Sequence, residues 1–303
     1  MTSTRLARVL TGSVVHMSMH PADHDLAVME AIVARDIDPV LVSLIRERVA
    51  ALLMLGPSVA EPTDARGRAA ATFIDQFVID VSAMTDAQRG AMFEQLGDNA
   101  LSFVQALYVI DFELRRNAIR EHLGAVVPGP FEGVLASPDM QLWPAIENYL
   151  RSVACMRHLD PVTAELVRLR GAAAHQCRIC KSRLSVQAVE ALGSEEPFAA
   201  VVASRPTELS DRHAVALRFV DVMVTQPTDL DEATAEQLRT HFSAAELHEL
   251  IHDVVRNSTN KFAVAVGGDE AVVSEGIEYY DLDATGDVIA DVDADVVRAA
   301  TRV

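Results

Sequence analysis

Two cysteines three residues apart, Cys177 and Cys180 in the string CRIC, are the residues whose type and spacing point most directly to chemistry. On a helix such positions share a face, with Cβ atoms roughly 5 to 6 Å apart, so a small adjustment at the first turn closes a disulfide. If a helix opens at Cys177 after a break at His175 and Gln176, its dipole and the flanking Arg178 and Lys181 favour a thiolate. A pair of this kind is redox-active or half of a metal site. Glu165 lies twelve residues before Cys177. It can take or relay the thiol proton if its helix folds back; by spacing alone it reads as a surface helix residue.

Cys155 and His158 form a CxxH pair, and eighteen residues separate His158 from Cys177, a layout within the range of structural zinc modules. The intervening fourteen residues from Pro161 to Ala174 read as a helix, which at about 1.5 Å each holds the half-sites roughly 21 Å apart. Cys155 is then expected as a small buried apolar side chain. Asp281, Asp283, Thr285, Gly286 and Asp287 resemble the start of a calcium loop, but the twelfth position is Val292 where a bidentate Glu is required. His248 and His252 are four apart and can pair on a helix face; with no adjacent carboxylate pattern, they and His241 are expected in a solvated or interface role. Trp143 reads as a packing residue at a helix start that could wall a pocket above the cysteines.

The elements that must hold these residues occur twice. IDPVLVSLIRERVAA at 37–51 matches LDPVTAELVRLRGAA at 159–173 in eight of fifteen positions at an offset of 122. AATFIDQFV at 70–78 matches ALRFVDVMV at 216–224 at an offset of 146, so the second copy carries 24 extra residues, and CRIC lies among them. The helix starts are signalled by Asp38 with Pro39, by Asp160 with Pro161, by Ser210, and by a capping box of Ser243 and Glu246 that opens a helix to about 265, stopped by Gly267 and Gly268. A Gly- and Pro-rich stretch reads as a linker, and alternation around DATGD as a β-hairpin. The expected layout is a degenerate helical repeat at 1–125 without CxxC, a linker at 126–140, a CxxC-bearing domain at 141–270, and a hairpin and tail at 271–303.

Composition agrees with a helical protein: half of the residues are apolar, and 14 Gly with 12 Pro are too few for a turn-rich all-β chain. Against 26 basic residues stand 44 acidic ones, a formal net charge of -18, which opposes nucleic-acid and anionic-membrane partners. No stretch reaches the roughly 18 apolar residues of a spanning helix. The N-terminus lacks a cleavable signal, and three cysteines exclude a disulfide scaffold, so a cytoplasmic protein is expected.

The strings AELVRLRGAAAHQCRIC, LSDRHAVALRFVDVMV and LRTHFSAAELHELIHDVVRNSTNKFAVAVG resemble the carboxymuconolactone decarboxylase and alkyl hydroperoxidase D family, strongly over about 155–268 and weakly in the first copy. The resemblance implies an all-α homo-oligomer of tandem helical repeats, closed here by a short C-terminal hairpin. It implies Cys180 as the thiolate that attacks a small hydroperoxide, Cys177 as the resolving thiol and Glu165 as the proton-relay carboxylate. A lipoyl-bearing or thioredoxin-like dithiol protein would be the reductant, with no metal and no cofactor. The redox branch has His four residues after the second cysteine, where this chain has Leu184. His175 can substitute only if the chain bends beside it. Leu184 beside the thiols would suit a bulky apolar substrate. The decarboxylase branch works without a thiol pair, so CRIC argues against it. Arg168 and Arg170 match the family's RxR; Arg46 and Arg48 occupy the same places in the copy without cysteines, so all four are expected in structural ion pairs. The alternative is a non-redox family member acting as a helical scaffold or partner-binding module.

Overall fold

Helix starts are the most local feature of this sequence, and most of them fall where capping residues stand. The computed structural model describes residues 19–129, 131, 133–205, 207–290 and 292. α1 (Pro21–Asp36) is capped by His20, whose Nδ1 accepts the Ala22 N–H at 3.2 Å. α2 (Pro39–Leu52) starts at Asp38, whose side chain accepts the Val40 N–H while Pro39 fills a first-turn position that needs no N–H. Asp64 caps α3 (Ala65–Asp80), Thr85 caps α4 (Asp86–Leu96) in a capping box with Gln88, and α5 (Ala100–Leu123) follows. The stretch to residue 140 is tied down by side chains. Arg116 and Arg120 donate to the Pro128 carbonyl, and Arg35 to those of Ser137 and Met140.

The second half opens with α6 (Leu142–Ala154) and α7 (Pro161–Ala174), the latter capped by Asp160. The extra residues then fold as α8 (Arg178–Lys181), β1 (Arg183–Ser185), α9 (Val186–Leu192) and α10 (Glu196–Val202). Ser210 caps α11 (Asp211–Val224), Asp231 caps α12 (Glu232–His241), and Ser243 with Glu246 forms the capping box of α13 (Ala244–Asn257). N-caps recur at the sequence offsets: Asp38 with Asp160 at 122, then Asp64 with Ser210 and Thr85 with Asp231 at 146.

The helix expected to run unbroken from 243 to about 265 is two. α13 ends at Asn257, and α14 (Asn260–Val266) begins beyond Ser258 and Thr259. Tighter turn bonds replace the helical ladder there, Thr259 N–H to the Arg256 carbonyl and Lys261 N–H to that of Ser258. The Thr259 hydroxyl donates to the Tyr108 oxygen at 2.8 Å, a side-chain bond that rewards the break.

The chain closes with β2 (Glu278–Leu282) and β3 (Val288–Ile289), an antiparallel hairpin at the expected Asp and Gly turn. Asp283 Oδ1 accepts the N–H groups of Thr285 and Asp287, so this acidic string is a turn. Gly286 has φ 85° and packs on α6 so closely that an added Cβ would lie 2.6 Å from the Arg151 carbonyl oxygen. Not expected from sequence is β1, which pairs parallel with β2 from Arg183 opposite Glu278 to Ser185 opposite Tyr280. The fold is thus all-helical with a small C-terminal hairpin that picks up one strand from the extra segment.

One apolar cluster draws on both halves, from Leu26, Phe73 and Phe103 to Phe219, Leu250 and Val255. A smaller one unites Val162, Leu166 and Leu169 of α7 with Leu184, Val189 and Phe198 of the extra segment. α7 is therefore buried on two sides, which is why its apolar residues are not confined to one stripe. No helix among the described residues is long and apolar enough to cross a membrane.

Candidate redox site

α7 ends where Gln176 adopts φ 52°, so the chain does bend beside His175. The turn carries Cys177 to the N-cap of α8, where its Sγ accepts the Cys180 N–H at 3.3 Å. Cys177 and Cys180 are joined as a disulfide, with Cα atoms 5.4 Å apart. Asp269, just past the glycines that stop α14, pins this turn: its carboxylate accepts the Arg178 N–H at 3.0 Å and pairs with the Arg178 guanidinium at 3.0 Å. Burial pushes the Asp269 carboxyl up, but the bonds to Arg178 outweigh it and hold it below the usual carboxylate range.

The two sulfurs are not equivalent. Cys177 is wholly enclosed, whereas Cys180 lines a pocket of about 380 Å³. Trp143, Leu150, Ile179 and Phe262 give it apolar walls, and Arg168, Arg256 and Tyr280 polar ones. Trp143 does wall this pocket, its ring centroid 5.4 Å from that of Phe262.

Glu165 is brought to the same place, but through intermediaries, and it is buried rather than on the surface. Arg168 grips it in a fork, Nε to Oε2 at 2.7 Å and Nη2 to Oε1 at 2.6 Å. The Tyr280 hydroxyl donates to Oε2 at 2.8 Å and the Ser185 N–H to Oε1 at 3.1 Å. Arg168 also donates to the carbonyls of Cys180 and Arg183, at 2.8 and 2.7 Å, so one guanidinium joins the carboxylate to the cysteine turn. Burial pushes the Tyr280 phenol up, which keeps it a hydrogen-bond donor at neutral pH. Arg168 thus forms the ion pair expected of it and lines the pocket as well, and Arg170 pairs with Asp221 of α11.

His175 is not brought to the pocket. Its Nε2 faces the Ser258 hydroxyl at 3.5 Å within the core, and burial pulls its pKa well down, so the ring is neutral. Leu184 also points elsewhere, into the cluster beneath α7, so the expectation that it shapes the substrate space is corrected. Strand pairing explains this: β1 alternates its side chains, and Leu184 takes the inner side. Cys155, expected buried, is exposed, its Sγ 3.7 Å from the Ala284 carbonyl oxygen, because it ends α6 at the surface.

Sequence reading missed Tyr280, Asp269 and Arg256, which arrive from distant segments. It also set aside His248 and His252 for want of a carboxylate, and α1 supplies one: Asp23 Oδ1 lies 3.0 Å from His248 Nε2 and 2.9 Å from His252 Nε2. The string HELIH from His248 to His252 was the available signal, a spacing that places two imidazoles on one helix face. Burial pulls His252 down to about 4, so that ring is neutral near pH 7.

Two Mycobacterium tuberculosis proteins are similar to this chain: "Uncharacterized protein MT2376" of strain CDC 1551 and "Uncharacterized protein Rv2313c" of strain H37Rv. Each is 39% identical over 239 residues, which is 77% of this chain and 84% of the relative. The chain belongs to their family. No family model matches it, and no solved structure does.

Proposed function

We propose that the chain is a thiol-dependent oxidoreductase of the alkyl hydroperoxidase D type, built from two related helical repeats and reducing small organic hydroperoxides. The observation that carries this reading is a disulfide-forming pair with one member enclosed and the other lining a pocket. In the reduced state the Cys180 thiolate attacks the peroxide O–O bond; the sulfur takes one oxygen as a sulfenic acid, and the other leaves with a proton as the alcohol. The Cys177 thiolate then attacks the sulfenic sulfur, closing the disulfide and releasing water once a proton is supplied. Two electrons have passed from the thiols to the peroxide, and a dithiol protein, lipoyl-bearing or thioredoxin-like, returns them.

Proton traffic in this scheme runs through Glu165, with Tyr280 and Arg168 as the groups shared between its carboxylate and the pocket. His175 takes no part. The apolar wall of Trp143, Leu150 and Phe262 favours an organic peroxide over hydrogen peroxide. Assembly as a homo-oligomer in the cytoplasm belongs to the same proposal. The competing scaffold reading draws on Leu184, since no imidazole stands four residues after Cys180.

The test is a thiol count on fully reduced protein before and after one equivalent of an organic hydroperoxide. Rapid loss of two thiols, abolished in Cys180→Ser, is expected. Three thiols that persist through long exposure would eliminate the peroxidase and leave the scaffold.

A further inference from the structure

Asp23, His248 and His252 bring three potential ligand atoms into mutual contact, closer together than any arrangement of hydrogen bonds requires. Their separations are 2.9 and 3.0 Å from Asp23 Oδ1 to the two Nε2 atoms, and 3.2 Å between the Nε2 atoms themselves. If both nitrogens carry hydrogen, two N–H groups confront each other; if only one does, a nitrogen lone pair faces the carboxylate oxygen; if neither does, all three contacts oppose lone pairs. Every tautomer thus leaves at least one edge of the triangle without a hydrogen bond. A cation bound to the three atoms turns all three lone pairs into favourable contacts.

The dimensions fit such a cation. With metal–ligand distances of about 2.0 to 2.2 Å, edges of this length subtend angles of roughly 85° to 105°, the range between octahedral and tetrahedral faces. The outer shell is also in place. His252 Nδ1 lies 3.0 Å from the buried Tyr149 hydroxyl, and a ligating histidine needs such an oxygen to fix its ring and tautomer. His20 caps α1 and sets Asp23 in its first turn, while the i, i+4 spacing sets both imidazoles on α13. His252 is fully buried, whereas the His248 and Asp23 side chains are 21% and 16% exposed, which leaves a path from solvent.

We propose that Asp23, His248 and His252 bind one divalent first-row metal ion such as zinc, clamping α1 to α13 with coordination positions left open. The string HELIH also invites a zinc-protease reading, in which Glu249 would serve the metal's water. The geometry argues against that reading: Glu249 Oε2 accepts the N–H groups of both His158 and Leu159, which ties the side chain to the loop after α6. The site does not depend on the thiol chemistry proposed above.

The test uses the full chain carrying Cys155→Ser, with its disulfide closed, stripped with a chelator and titrated with Co2+ and then Zn2+. One equivalent of Co2+ should bind with a visible absorption band that Zn2+ displaces, and Zn2+ should raise the melting temperature. His248→Ala and Asp23→Ala should each weaken binding at least tenfold while keeping the parent's circular dichroism, and Tyr149→Phe should weaken it severalfold. His122→Ala, on α5, should bind as the parent does. Absence of stoichiometric binding in the parent, or parental affinity in folded His248→Ala and Asp23→Ala, would overturn the site.

Discussion

The arginine pairs of the two halves, Arg46 with Arg48 and Arg168 with Arg170, stand at matching positions and do different things. Arg48 pairs with Asp75 on α3, and Arg170 repeats that contact with Asp221 on α11. The other two diverge. Arg46 reaches Glu113 across a half-exposed surface, whereas Arg168 binds Glu165 and the carbonyls of Cys180 and Arg183. The position matching Glu165 is Ser43, so the first half has no carboxylate to hold there. One arginine of each pair makes the same helix-to-helix contact in both halves, and the other meets a buried carboxylate only in the half that has the extra segment. A residue shared between the halves thus does not keep its partners when the segment around it changes.

Substitution at this pair gives the largest expected contrast. Arg168→Ala leaves Glu165 buried without its fork and should cost about 3 to 5 kcal/mol, whereas Arg46→Ala should cost about 1 kcal/mol or less, both read from urea unfolding. Equal losses would break the contrast.

A second, smaller contrast lies in pH dependence. Asp253 lines the small pocket beside Glu165 and Tyr280, and its matching position in the first half is Leu107. Burial pushes the Asp253 carboxyl up to about 7, against the opposing pull of Arg256 and Arg157 and with the push of Glu249 and Glu165. Because the folded pKa exceeds the unfolded one, the native state holds the extra proton between about pH 4 and 7, and stability falls as pH rises through that window. Asp253→Asn should remove that slope, gaining on the order of 2 to 3 kcal/mol over the parent between pH 5 and 8. Chelator in all samples keeps metal out of the comparison, and parallel pH profiles for parent and variant would sink the assignment.

The smallest expected effect concerns what the halves share. Arg170→Ala should cost about 1 kcal/mol, since it loses one partly exposed ion pair, and Arg48→Ala about 2 kcal/mol, since Arg48 is buried and pairs with Glu61 as well as Asp75. A cost for Arg170→Ala equal to or above that for Arg48→Ala would break the comparison.

What could be read from the sequence follows sequence separation. Caps at Asp38, Asp160, Ser210 and Ser243 involve partners two or three residues away, and they fell where expected. The hairpin was legible because an Asp and Gly turn is local too. The break at Ser258 was not, because its reward is a bond to Tyr108, 151 residues earlier. For the site, CRIC named both sulfurs, yet which one faces a pocket depends on Trp143 and Phe262. Tyr280 joins Glu165 from 115 residues away, and Asp23 reaches His252 across 229, so no spacing rule could disclose either contact. Cys155 misled because exposure at a helix end is decided by what packs nearby.

The pairing of β2 with β1 has a consequence in time. Tyr280 emerges 100 residues after Cys180 during synthesis, about 5 to 20 s at 5 to 20 residues per second. Throughout that interval Glu165 lacks its phenol and the cysteine turn lacks the strand beside it. The surroundings of the cysteine pair are thus completed only by residues made long after the cysteines themselves.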